Sequence, residues 1–164
     1  MSVSDSELMN EAQAVGRDLL EVGWMLATAE SCTGGWLSKV ITDLPGSSHW
    51  FEGGLVTYSD LSKVELLGVT PLSLEKYGAV SEAVVREMVL GLLAQTGAHL
   101  GVSISGIAGP DGGTDEKPVG TVWFAWGRQG GEIEAACECF RGDREAVRRQ
   151  AVLFALQGLR GFIG

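Results

Sequence analysis

Histidine is nearly missing from this chain of 164 residues: only His49 and His99 occur, far apart in sequence. With no H-E-x-x-H, no C-x-x-C and no paired histidines, the sequence offers no metal centre and no resident cofactor, so any chemistry is expected to be insensitive to chelators. Cysteine is scarce and odd in number. Cys32, Cys137 and Cys139 form no disulfide framework, and reduced thiols suit the cytoplasm. Basic residues are outnumbered, 12 Lys and Arg against 21 Asp and Glu, for a formal charge of -9. Such a chain repels a phosphate backbone, which excludes nucleic acid as an expected partner. No apolar run approaches the roughly 20 residues of a membrane helix, and the opening MSVSDSELMN has neither a basic nor an apolar leader region. A soluble cytoplasmic protein without a membrane partner is the reading. Repeats, low-complexity tracts and linkers are also missing, so residues 1–164 are expected to form one domain.

What is abundant is glycine. The 24 glycines are roughly twice the usual share and gather in loops, which predicts tight turns and close ligand approach.

Ser4 to Glu7 reads as an S-x-x-E capping box opening a helix from about 5 to 21. Trp24 to Ala29 reads as a buried strand, and Gly35 to Thr42 as a helix. A turn at 44 to 48 leads to a strand from Trp50 to Tyr58 and to a helix from 59 to 67 capped by Ser59. Pro71 opens a short helical turn ending near Gly78, and Ser81 begins a longer helix. Gly101 to Ser105 is the next strand. Residues 106 to 120, GIAGPDGGTDEKPVG, are too rich in Gly and Pro for regular structure and read as a functional loop. Thr121 to Trp126 and Ile133 to Phe140 form a hairpin, and Asp143 caps a last amphipathic helix. The alternation predicts a three-layer α/β/α sandwich with a mixed, mostly parallel sheet. Trp36, Trp50 and Phe51 are available to the core or to the interface of a homodimer or higher homo-oligomer, which is the expected assembly.

In open α/β sheets ligands gather beyond the carboxyl ends of the strands. Three segments with that character, Glu30 to Gly35, Tyr58 to Lys63 and Ser105 to Gly113, each carry a hydroxyl there. In TAESCTGGW, Ser31 sits on a strand-to-helix turn much as the serine of a nucleophile elbow does, although G-x-S-x-G is absent. Ser31 or Thr33 equally suits a helix cap. Gly34 and Gly35 allow close backbone approach, with N–H groups able to hold an oxyanion. Cys32 is a rival nucleophile if its pKa is lowered. Neither histidine is well placed as a base. Lys63 is the other candidate, provided burial lowers its pKa, and its alternative is an ordinary solvated lysine. The loop from Gly106 to Gly113 is either a phosphate cradle, though not a Walker A loop, or a tight crossover. Arg144 and Arg148, at i,i+4 spacing, either hold an anion or lie in solvent paired with Glu145. Glu30 either tunes Lys63 or ties down the turn.

Taken together, TAESCTGGW, GSSHWFEGGLVTYSDLSKVELLGV, GAVSE, SISGIAGPDGG with EKPVGTVWFA, and GDREAVRRQA resemble the CinA C-terminal domain family over nearly the whole chain. The likeness is to its stand-alone nicotinamide-nucleotide amidohydrolases. It implies hydrolysis of the carboxamide of nicotinamide mononucleotide to nicotinate mononucleotide and ammonia, a step in pyridine nucleotide salvage. By position it implies Ser31 as nucleophile, Lys63 as base and Tyr58 as its orienter or proton relay. Thr33, Gly34 and Gly35 would supply oxyanion donors. Ser105, Gly106, Gly109 and Arg144 would hold the ribose phosphate. Longer family members carry an extra N-terminal domain; this chain begins at its first helix, so metal-dependent pyrophosphatase activity of that domain is expected to be absent. The competing reading is a non-catalytic nucleotide-binding or regulatory partner domain.

Overall fold

Ser4 and Glu7 form the reciprocal cap expected of them, the Ser4 hydroxyl accepting the Glu7 N–H while the Glu7 carboxylate accepts the Ser4 N–H, and α1 runs Asp5–Val22 behind it. The structure is a computed structural model that describes residues 2–163. After α1 come β1 (Leu26–Glu30), α2 (Trp36–Thr42), a 3-10 turn (Ser47–His49), β2 (Phe51–Val56), α3 (Asp60–Leu67), α4 (Pro71–Tyr77), α5 (Glu82–Thr96) and β3 (Leu100–Gly106). The hairpin β4 (Thr121–Arg128) and β5 (Ile133–Cys139) and the last helix α6 (Arg144–Arg160) complete the chain. Ser59, Ser81 and Asp143 each accept an N–H of the first turn they precede. The second strand stops at Val56 rather than Tyr58, because the carbonyls of Thr57 and Tyr58 turn to Nζ of Lys63 instead of a neighbouring strand.

The sheet order is β2-β1-β3-β4-β5. β1 lies parallel to both β2 and β3, whereas β4 runs antiparallel to β3 and β5. Pairings are thus evenly divided, yet every strand except β4 points the same way. β1 is buried along its whole length, as a central strand with helices on both faces must be. On one face α1, α2 and α6 bury Leu8, Val15, Ile41 and Leu156 against Val102, Ile104 and Phe124. On the other, α5 sets Val85, Met88 and Leu92 against Ala27, Ala29 and Ala125, with α3 and α4 packed along its flank. Each such large side chain removed from water contributes on the order of 2 kcal/mol, which makes these two seams the chief support of the sandwich. Trp50 is buried and Trp36 and Phe51 pack against the α1/α6 core. Among the described residues no helix is long and apolar enough to cross a membrane.

Candidate active site

Parallel register places the ends of three strands side by side: Glu30 pairs with Val56 on one flank and with Ile104 on the other. The loops leaving β1, β2 and β3 therefore meet at one edge of the sheet, where a ligand crevice is expected.

The first of these loops is held from both sides. Glu30, almost fully buried, accepts hydrogen bonds from the Thr33 hydroxyl at 2.8 Å, the Leu37 N–H at 2.9 Å, the Ser38 N–H at 3.0 Å and the Ser38 hydroxyl at 2.8 Å. The N-cap of α2 is Gly35, with φ 100°, a left-handed conformation that glycine adopts freely and that leaves no side chain to cap the helix. Glu30 supplies the missing cap from the preceding strand. Gly54 makes room for the Ser38 side of this clasp, since a Cβ there would lie 2.4 Å from Ser38 Oγ. Glu30 thus ties down the turn. From the far side Arg148 donates Nε to the Cys32 carbonyl at 2.9 Å and Nη2 to the Thr33 carbonyl at 3.1 Å, while stacking over Trp36. The Ser31 N–H is anchored to the Ile104 carbonyl at 3.0 Å.

Ser31 and Lys63 meet across this frame. Lys63 extends from α3 into the interior and is only 1% exposed. Its Nζ donates to Ser31 Oγ at 2.9 Å, to the Thr57 carbonyl at 2.8 Å and to the Tyr58 carbonyl at 3.1 Å. Among the described residues no salt bridge includes Lys63. Burial therefore pushes its pKa below the ordinary lysine value, with the Asp60 carboxylate opposing the shift. Cys32 is held in the opposite state: burial raises its thiol to about 11, so it is protonated at neutral pH and unsuited to be the nucleophile.

A cavity of about 260 Å³ opens over this pair, and Ser31, Cys32, Tyr58, Lys63, Ser105, Gly106, Gly109 and Arg144 are all on its wall. Asp111 and the Ala79–Val80 segment, neither singled out from sequence, line it too. A wider groove of about 830 Å³ lies elsewhere, between the starts of α1 and α6, and contains no part of the Ser31–Lys63 pair. Arg144 reaches the cavity rim, donating Nη1 to the Gly109 carbonyl at 2.7 Å and Nη2 to the Tyr58 hydroxyl at 3.1 Å.

Three expectations change. Thr33, Gly34 and Gly35 are not on the cavity wall, because the turn bends away after Cys32: the Thr33 hydroxyl is taken by Glu30 and the Gly34 N–H by the Ser31 carbonyl. The main-chain N–H groups of Cys32, Thr33 and Gly35 have no main-chain acceptor among the described residues, and of these three residues Cys32 is the one on the cavity wall. Tyr58, an exposed residue, reaches Lys63 through its carbonyl, while its phenol accepts a hydrogen bond from Arg144. Arg148 clamps the serine turn instead of sharing an anion with Arg144, and it is Arg149 that pairs with Glu145. The histidines stand clear, as expected: His99 Nδ1 accepts the Met25 N–H at 2.9 Å at the opposite end of the strands. Among the described residues no group of His, Cys, Asp and Glu is arranged to hold a metal ion.

Comparison with known proteins gives a consistent picture. Residues 9–163 match the CinA C-terminal domain family. The chain is 57% identical over 157 residues to nicotinamide-nucleotide amidohydrolase PncC of Escherichia coli (strain K12), covering 96% of this chain and 95% of that one. It is 55% identical over 162 residues to the protein of the same name from Enterobacter agglomerans, covering 98% and 99%. Among solved structures, a CinA superfamily protein from Klebsiella pneumoniae superposes with a TM-score of 0.91 at 44% identity, covering 95% of this chain and 97% of that one.

Proposed function

The chain belongs to the CinA C-terminal domain family, and on that premise we propose that it hydrolyses the carboxamide of nicotinamide mononucleotide, releasing nicotinate mononucleotide and ammonia in pyridine nucleotide salvage. The names of its amidohydrolase relatives support the substrate. The observation that carries the chemistry is the buried Lys63 Nζ at 2.9 Å from Ser31 Oγ, with two carbonyls on its other side.

Those carbonyls decide how the lysine works. A neutral amine has two N–H donors and one lone pair. With both donors given to the Thr57 and Tyr58 carbonyls, the lone pair is left for the Ser31 proton. Ser31 Oγ then attacks the amide carbon as its proton passes to Lys63. The Cys32 N–H is our candidate donor to the oxyanion, a contact typically worth about 3 kcal/mol in the transition state. When the C–N bond breaks, the Lys63 ammonium returns the proton to the departing nitrogen, which leaves as ammonia. An acyl ester remains on Ser31. Water, deprotonated by the neutral Lys63, adds to that ester and liberates the carboxylate, and Ser31 recovers its proton.

Arg144, with Ser105 and the Gly106 to Gly109 segment, is assigned to the ribose phosphate, whose binding positions the remote amide. Its bond to Tyr58 gives the phenol the role of holding that guanidinium rather than relaying a proton. Incubating the purified protein with nicotinamide mononucleotide and measuring ammonia tests the proposal. One ammonia for each nicotinate mononucleotide formed is expected, whereas saturable binding without ammonia would contradict it.

A further inference from the structure

We propose that Asp111 is a specificity-determining residue that recognises the positive charge of the quaternary pyridinium ring, so that the cavity selects oxidised pyridine nucleotides over counterparts with a neutral ring. This rests on the amidohydrolase reading above, and it starts from the charges on the cavity wall. Beside the Lys63 amine, Arg144 and Asp111 are the charged side chains there, and Asp111 is the one carboxylate. Glu30 is committed to the start of α2 by its four hydrogen bonds and is not on that wall. No hydrogen bond or salt bridge engages Asp111 among the described residues, so its charge is available to a ligand.

A wall built only for phosphate gains nothing from a carboxylate, which repels the dianion. Nicotinamide mononucleotide carries both signs: a phosphate at one end and, at the ring, a nitrogen made permanently positive by its bond to ribose. That nitrogen has no proton to donate, so the ring cation must be recognised through charge and not through a hydrogen bond. The loop carrying Asp111 is fixed to the phosphate side of the site, because the Gly109 carbonyl two residues earlier accepts from Arg144 at 2.7 Å. One anchored loop thereby sets a cation and an anion against a substrate with the complementary pair. Selection of the charged ring also selects the more reactive amide, since the pyridinium withdraws electrons from the carbonyl carbon that Ser31 attacks.

Asp111→Asn and Asp111→Glu, compared with wild type, separate charge recognition from a hydrogen bond to ribose. The readouts are KM for nicotinamide mononucleotide and the inhibition constant of its reduced form, which keeps ribose, phosphate and carboxamide but has a neutral ring. Asp111→Asn is expected to raise KM roughly fivefold to tenfold and to change the inhibition constant of the reduced form by less than about twofold, while Asp111→Glu retains the preference. An equal loss for both nucleotides, or no change for either, would overturn the proposal. Wild-type protein that released no ammonia would sink the amidohydrolase reading separately. Calorimetric dissociation constants of the same two nucleotides would then decide the role of Asp111 by the same comparison, and a wild type that bound neither, or both alike, would overturn it.

Discussion

A lysine buried without a carboxylate partner is costly in its charged form, and burial holds the Lys63 pKa below the ordinary lysine value, which suits the base role proposed for it. The same shift couples folding to pH. In the folded protein the Lys63 pKa lies below its unfolded value of 10.5, so between the two values the unfolded chain binds more protons than the folded one. Lys63 therefore adds most to stability above pH 10.5, and that contribution is lost as pH falls through the folded pKa. Urea unfolding of wild type and Lys63→Met at several pH values from 7 upward checks this. Wild type should gain on the variant as pH rises, by at most about 1.4 kcal/mol per pH unit, and a pH-independent difference would contradict a depressed lysine. The direction of the side chain was not legible in the sequence, where a solvated surface lysine is the ordinary reading of Lys63. Only the carbonyls of Thr57 and Tyr58, leaving the ladder to face it, explain why it points inward.

The element that bears Ser31, the proposed nucleophile, is a turn, and turns keep their geometry only when their polar groups are engaged. Glu30 holds the amides and hydroxyls at the start of α2, and Arg148 on α6 holds the carbonyls of Cys32 and Thr33. Arg148 is absent from the cavity wall, so it acts on Ser31 by position. Arg148→Met should lower kcat roughly 100-fold, the scale of a displacement near 1 Å, while KM stays within about twofold. Lysine at this position should restore little, because it lacks the planar fork that bridges two carbonyls. Steady-state kinetics beside a thermal melt separate the outcomes: a raised KM with unchanged kcat would mean that Arg148 holds substrate. Sequence spacing set Arg144 and Arg148 on one helical face, which is correct. It left their separate targets unseen, since these lie more than 30 residues away in the chain. Glu30 was similarly ambiguous, because a strand-end carboxylate capping the next helix has no short sequence signature. By contrast Ser4, Ser59 and Asp143 were readable as caps, their partners lying three residues on.

At the scale of the molecule, the fold brings three loops to one edge and sets a cavity with Arg144, Asp111 and the Lys63 amine on its wall into a chain of net charge -9. The alternation of apolar runs carried most of that architecture in the sequence, because burial on both faces leaves strands like β1 and β3 without solvent-facing positions. The bend after Cys32 was not carried, since Thr33 to Gly35 suit an oxyanion loop and a capped helix start equally well. The central claim is that Ser31 and Lys63 act together on an amide. Its most direct measurement is ammonia release from nicotinamide mononucleotide by wild type, Ser31→Ala and Lys63→Ala, with circular dichroism verifying that each variant is folded. The account predicts steady release by wild type and at least a 1000-fold loss, on the order expected when a nucleophile or its base is removed, in each folded variant. Near-normal turnover in either folded variant would contradict it.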